Sequence, residues 1–201
     1  MRRGGAGRPP FAVMKEISQD SVRTWLAARV DEERLRHSLR VLELIPGLAA
    51  AHGADAEPLK LAALLHDSAR GMSDAEMLKS AERLGLPVRD IDRRFPILLH
   101  GRLAVEMARR ELEIDDAAVL SAVLYHTAGH PLMSLSDKLL FLGDMIEPER
   151  ALPRLDELRL LAYDDVNGAM RLAIEINRRY LAARGRVMDP LTLELKQALT
   201  P

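Results

Sequence analysis

The sequence predicts an all-α fold, and three observations carry that prediction. From about Gln19 onward nearly every segment spaces its apolar residues three or four apart, and no alternating strand pattern occurs. The Val-, Thr- and aromatic-rich runs that strands favour are missing, with aromatics at only 3%. Capping residues, glycines and prolines punctuate the chain where helices would start and stop.

Taken in order, the first thirteen residues are rich in Arg, Gly and Pro and hold no apolar stretch of a secretory signal. Residues 1–18 therefore read as a disordered tail, with Met14 as an alternative start, and 19–201 as one domain without repeat or linker. A helix follows in which His37 shares a face with Val41, Leu44 and Leu48. The apolar run LKLAALLHD ends on His66–Asp67. Ser73 with Glu76 forms a capping box for the next helix, which Gly85 closes. FPILLHGRLAV carries His100, and AVLSAVLYHTAGH carries His126. Ser134 with Asp137 opens another helix that stops near Pro148. A long helix is expected from roughly Leu155 to Gly185. Asp189 before Pro190 then caps a short last one.

Composition narrows the function. Of 201 residues, 48% are apolar and 29% charged, which suits a globular chain and argues against a membrane protein. Apolar runs such as 117–125 are interrupted and fall short of a span. With 29 basic and 30 acidic residues, the net charge of −1 offers no broad attraction to nucleic acid or anionic lipid. The absence of cysteine removes disulfides, thiolate metal sites and thiol nucleophiles, and fits a cytoplasmic location. Any metal must be held by imidazole and carboxylate, a donor set that suits iron, manganese or zinc.

The six histidines matter through their placement. His37 alone is better explained by a half-buried ring bonded to a carbonyl. His66–Asp67 places an ionisable pair directly after an apolar run, which costs several kcal/mol unless something compensates the charge. His100 and His126 repeat that context. Asp144 lies inside LLFLGDMIEP among apolar neighbours, where it needs a metal, a cation or a hydrogen-bond network; Lys138 or an arginine is the structural alternative. Five helical segments thus each deliver a ligand from an apolar surface, as helix bundles do when they build metal sites between helices. Partners holding the imidazoles are expected, with Glu43, Asp137 and Tyr125 as candidates. His52 and His130 lack this context and read as loop residues.

The order His, His-Asp, His, His, Asp is the signature of the HD superfamily. The segments RLRHSLRV, LAALLHDSAR, LLHGRLA, YHTAGHPLMSLSDKLLFLGDMIEPER and LRLLAYDDVNGA resemble its YqeK-type branch. These are the bacterial symmetrical diadenosine tetraphosphate hydrolases. The resemblance covers residues 19–198, and 125–150 is its most specific part. It implies a single HD-domain helical bundle with an inter-helical metal site. It further implies that His37, His66, Asp67 and Asp144 hold iron, and that His100 and His126 complete a second metal position or meet the polyphosphate. Thr127 and Arg150 would contact phosphate, and the segment from Arg186 to Leu191 the nucleoside. Ser68, Arg70, Ala128, Gly143 and Met145 depart from the branch's usual letters; none is an implied metal ligand. Arg70 keeps the positive charge of the usual Lys but presents it as a planar fork.

The activity implied is a two-metal phosphoanhydride cleavage in which Asp67 bridges the metals and an activated water attacks the β-phosphorus, releasing two ADP. Asp67, His100, His126 and Arg70 are the expected catalytic residues. His100, His126, Thr127, Asp144, Arg150 and Arg186 would line the substrate. Cleavage of another nucleotide and nucleotide binding without turnover are the competing readings. A spare apolar helix face leaves room for a homodimer.

Overall fold

A computed structural model describes residues 17–199, which are helical and contain no strand. Most of the expected tail, residues 1–16, lies outside the described residues. The chain runs through α1 (Gln19–Ala27), α2 (Glu32–Ala51), α3 (Ala56–Leu65), α4 (Asp74–Arg83), α5 (Asp90–Arg94) and α6 (His100–Leu112). It continues through α7 (Ala117–Tyr125), α8 (Leu135–Ile146), α9 (Leu155–Asp164), α10 (Val166–Ala182) and α11 (Pro190–Ala198). Short 3₁₀ turns at Ser68–Gly71 and Pro96–Leu99 lead into α4 and α6.

The expected punctuation accounts for most boundaries. At α4 the Ser73 hydroxyl accepts from the Glu76 amide while Glu76 accepts from the Ser73 amide, and Gly85 follows with φ +68°. Ser134 and Asp137 make the same reciprocal cap on α8. Asp189 caps α11 by accepting from the Leu191 amide at 2.9 Å, with Pro190 leading the helix. Such caps satisfy backbone donors that have no partner inside the helix.

One expectation is corrected. The long helix from Leu155 to Gly185 is two helices, α9 and α10, because Asp165 leaves helical geometry at φ −130°, ψ 94°. Its carboxylate accepts from the Gly168 amide at 2.9 Å and caps α10. The apolar period continues across this break (Leu158, Ala162, Ala169, Met170), and so conceals it.

α3 lies at the centre of the bundle, with α2 along one side, α7 along another and α8 behind them. Val41, Ile45 and Leu48 of α2, Ala62 and Leu65 of α3, Val123 of α7 and Leu140 of α8 are buried in this core. A smaller cluster of Ala69, Met77, Ala81, Leu99 and Leu103 joins α4 to α6. No helix is long and apolar enough to cross a membrane among the described residues. The ends of α3, α7 and α8 and the start of α6 meet beside the middle of α2, and the ionisable residues collect there.

Candidate metal centre

His66 and His126 immediately follow α3 and α7, and His100 opens α6. Each ring turns back toward the carbonyl three residues earlier. Nδ1 donates to Ala63 O at 2.8 Å from His66 and to Val123 O at 2.7 Å from His126, and His100 bonds Ile97 O in the same way. A carbonyl only accepts, so the proton of each neutral ring is fixed on Nδ1 and Nε2 keeps a free lone pair. His37, within α2, places Nδ1 3.3 Å from Glu147 Oε1. Burial works to raise the Glu147 carboxyl, but the hydrogen bond from Arg40 and its other partners hold it below the ordinary range, leaving an ionised acceptor.

All four Nε2 atoms therefore point inward, where they form two groups with the carboxylates. His37, His66 and Asp144 make one triad, and Asp67, His100 and His126 the other; within each, the ligand atoms lie within 4.8 Å of one another. In the first, His37 Nε2 is 3.3 Å from His66 Nε2 and 2.9 Å from Asp144 Oδ1. In the second, His100 Nε2 is 2.8 Å from His126 Nε2. Asp67 stands between them. Its Oδ2 is 3.9 and 3.8 Å from Nε2 of His37 and His66, and its Oδ1 is 3.4 and 3.8 Å from Nε2 of His100 and His126.

Opposed lone pairs at these separations repel unless a proton or a cation sits among them. Protons are disfavoured: burial pulls His66 down to about 4 and also lowers His100. Burial alone would raise the Asp67 carboxyl, yet the imidazoles of His66, His100 and His126 around it hold it well below the usual carboxylate range. Asp144 is held low by His37 and Arg150 against the same burial. Fixed imidazole lone pairs beside ionised carboxylates fit one or two divalent cations.

The surrounding side chains are cationic. Arg34 Nη1 lies 3.0 Å from Asp67 Oδ2, Arg70 Nε lies 4.0 Å from Asp67 Oδ1, and Arg150 pairs with Asp144 through Nη2 and with its backbone oxygen at 2.9 Å. The Thr127 hydroxyl is 3.1 Å from His100 Nε2 and 3.3 Å from His126 Nε2. A cleft of about 290 Å³ opens over Asp67, His100, His126 and Asp144, walled by these groups and by residues of α10. Arg186 does not line that cleft; it lines an adjoining cavity of about 220 Å³ that shares Arg70, His100 and Thr127 with it.

The expected imidazole partners are corrected. Glu43 is exposed. Asp137 is buried, but it caps α8 and accepts from the Ser121 hydroxyl at 2.7 Å. Tyr125 stacks on His130 with ring centroids 4.8 Å apart. Glu147 and three backbone carbonyls hold the rings instead. Glu147, Arg34 and Arg40 were not anticipated, although helical spacing contains the signal. Glu147 is three residues after Asp144, and the two arginines stand three residues either side of His37. Lys138 bonds Asn167, so Arg150 and His37 are the partners of Asp144. His52 is a loop residue that ties the end of α2 to Ala162 O at 2.7 Å.

Comparison with known proteins agrees with this geometry. The HD domain family model matches residues 34–166. A symmetrical bis(5'-nucleosyl)-tetraphosphatase of Bacillus subtilis (strain 168) is 33% identical over 164 residues, 82% of this chain and 88% of that protein. One of Halalkalibacterium halodurans is 35% identical over 162 residues, 81% of this chain and 86% of its own. A crystal structure of a "predicted HD superfamily hydrolase involved in NAD metabolism" from Clostridium acetobutylicum superposes with a TM-score of 0.87 at 32% identity. It covers 91% of this chain and 97% of that one.

Proposed function

This chain belongs to the HD domain family, and from that premise we propose that it hydrolyses diadenosine 5',5'''-P1,P4-tetraphosphate symmetrically to two ADP. One observation carries the reading most: two His/Asp triads lie side by side with Asp67 facing the histidines of both, at the floor of a cleft walled by arginines. The relatives named for this activity, matched over four fifths of the chain, supply the substrate.

In this reading His37, His66, Asp67, His100, His126 and Asp144 would hold one or two divalent ions. Iron is the expected metal, with manganese or zinc as alternatives. Divalent cations there would supply Lewis-acid charge and a water of lowered pKa.

The chain's own residues do the rest. Arg70 and Arg150, with Arg34, neutralise the phosphate oxygens as charge builds on them. The Thr127 hydroxyl donates to a phosphate oxygen at the mouth of the second triad, and Arg186 stands at the nucleoside end. His100 and His126 set the position of the attacking water. The water oxygen bonds to the β-phosphorus as its proton passes to solvent, and the bond from that phosphorus to the central bridging oxygen breaks. The departing ADP takes the electron pair. A phosphate of ADP leaves readily as an anion, so charge neutralisation outweighs protonation.

The test is product analysis with metal-loaded, anaerobically prepared protein. ADP as sole product is expected. ATP plus AMP would mean that the polyphosphate lies in another register. The Clostridium protein's description favours a second reading, cleavage of a pyridine dinucleotide. NAD belongs in the same substrate panel, and turnover of NAD without turnover of the tetraphosphate would favour that reading.

A further inference from the structure

The metal cleft adjoins two side cavities, and α10 divides them. Ile176, Tyr180 and Ala183, spaced i, i+4, i+7, face a cavity of about 350 Å³; Asn177 and Leu181 face the 220 Å³ cavity described above. Both adjoin the cleft, the larger sharing Leu152, Ile176 and Tyr180 with it and the smaller Arg70, His100, Thr127 and Asn177.

We propose that the larger cavity is a second nucleoside subsite, with Tyr180 as the stacking platform for the base. This rests on the symmetrical cut, which leaves one nucleoside on each side of the metals and therefore needs a seat on each. The cavity has suitable chemistry. Its wall combines apolar Leu152 and Ile176 with the half-exposed Tyr180 ring, and the Arg184 guanidinium lies over that ring at 3.7 Å from its centroid. Aromatic rings and guanidinium planes are the surfaces on which bases stack. Arg184 has no carboxylate partner among the described residues, so its charge is available to an anionic ligand. Arg154, at the same wall, adopts a left-handed backbone with φ +60°, a conformation that non-glycine residues rarely hold and that concentrates at ligand sites. The smaller cavity presents Phe95, Ile97, Leu98 and Met188 instead. The two halves of a symmetrical substrate thus meet different contacts.

The experiment uses the metal-loaded full chain and the variants Tyr180→Ala, Tyr180→Phe and Arg184→Ala. Tyr180→Ala should raise KM for diadenosine tetraphosphate on the order of tenfold while kcat stays within about twofold, and Tyr180→Phe should restore KM. In calorimetric titration with ADP, the wild type should show two sites per chain and Tyr180→Ala one. Arg184→Ala, at an exposed position, should weaken the same ADP site and serves if Tyr180→Ala fails to fold. Unchanged KM together with two intact ADP sites in the alanine variants would overturn the subsite. Wild-type protein that binds ADP twice but does not cleave the tetraphosphate would sink the hydrolysis reading and leave the subsite standing.

Discussion

Asp67 turns Oδ2 toward His37 and His66 and Oδ1 toward His100 and His126. Replacing it with alanine should abolish turnover and metal binding while circular dichroism shows the helices intact. Full turnover in Asp67→Ala would refute its assignment as a metal-holding residue. Glu147 acts through His37, whose Nδ1 it accepts. Glu147→Gln should weaken metal affinity by about 10–100-fold, measured by competition with a chelator, because the ring loses its anionic anchor. At this scale the histidines and Asp144 were legible in the sequence because ionisable groups on apolar helices stand out. Glu147 was not, since a glutamate before Pro148 looks like an ordinary helix end. Its burial comes from α2 packing across it, which no local pattern encodes.

Helices bring the triads together by close approach of their backbones. Gly101, the second residue of α6, lies against the end of α7, and a Cβ there would lie 3.0 Å from Val123 O, 3.2 Å from Leu124 O and 3.3 Å from Thr127 Oγ1. Gly101→Ala should destabilise the protein by roughly 1–3 kcal/mol and disturb the His100–His126 pair, read as a lower Tm with weaker metal binding. An unchanged Tm would show that the two helices can part without cost. A second tie lies away from the metals. Asp92 is fully buried, accepts from Arg89 and forms an ion pair with Arg102 at 2.6 Å, while Arg89 also pairs with Asp189 at the start of α11. Burial would raise the Asp92 carboxyl, but the two arginines bring it below its ordinary value. A depressed carboxyl stabilises the fold above its unfolded pKa, near 4, and that contribution disappears as pH falls through the folded value. Asp92→Asn should therefore cost roughly 2 kcal/mol at pH 7, with the difference closing below about pH 4 in denaturant titrations. A gap independent of pH would exclude the ionised pair as its cause. Capping boxes made α4 and α8 readable in advance, and the Asp189 cap with Pro190 did the same for α11. The α9–α10 break escaped because the apolar period runs through Asp165.

Across the whole molecule, the core that α2, α3, α7 and α8 build serves to hold a cluster of charges that would not gather there unaided. Two carboxylates and four imidazoles with fixed lone pairs oppose one another until a cation joins them. Metal binding should therefore stabilise the native state. At a free concentration a hundredfold above Kd the gain is about 2.7 kcal/mol, a rise in Tm of roughly 5–10 °C for a chain of this size. No shift with iron, manganese or zinc would contradict a metal centre here. The architecture was legible in the sequence because helical periodicity and caps act locally; the cavities flanking α10 were not, since they arise only where distant segments meet. The central claim is that water attacks a β-phosphorus at the middle of the tetraphosphate. It is tested most directly by hydrolysis in ¹⁸O-enriched water, with the products resolved by mass spectrometry. ADP alone is expected, half of it carrying a single ¹⁸O on its β-phosphate. Label in AMP or ATP would contradict it.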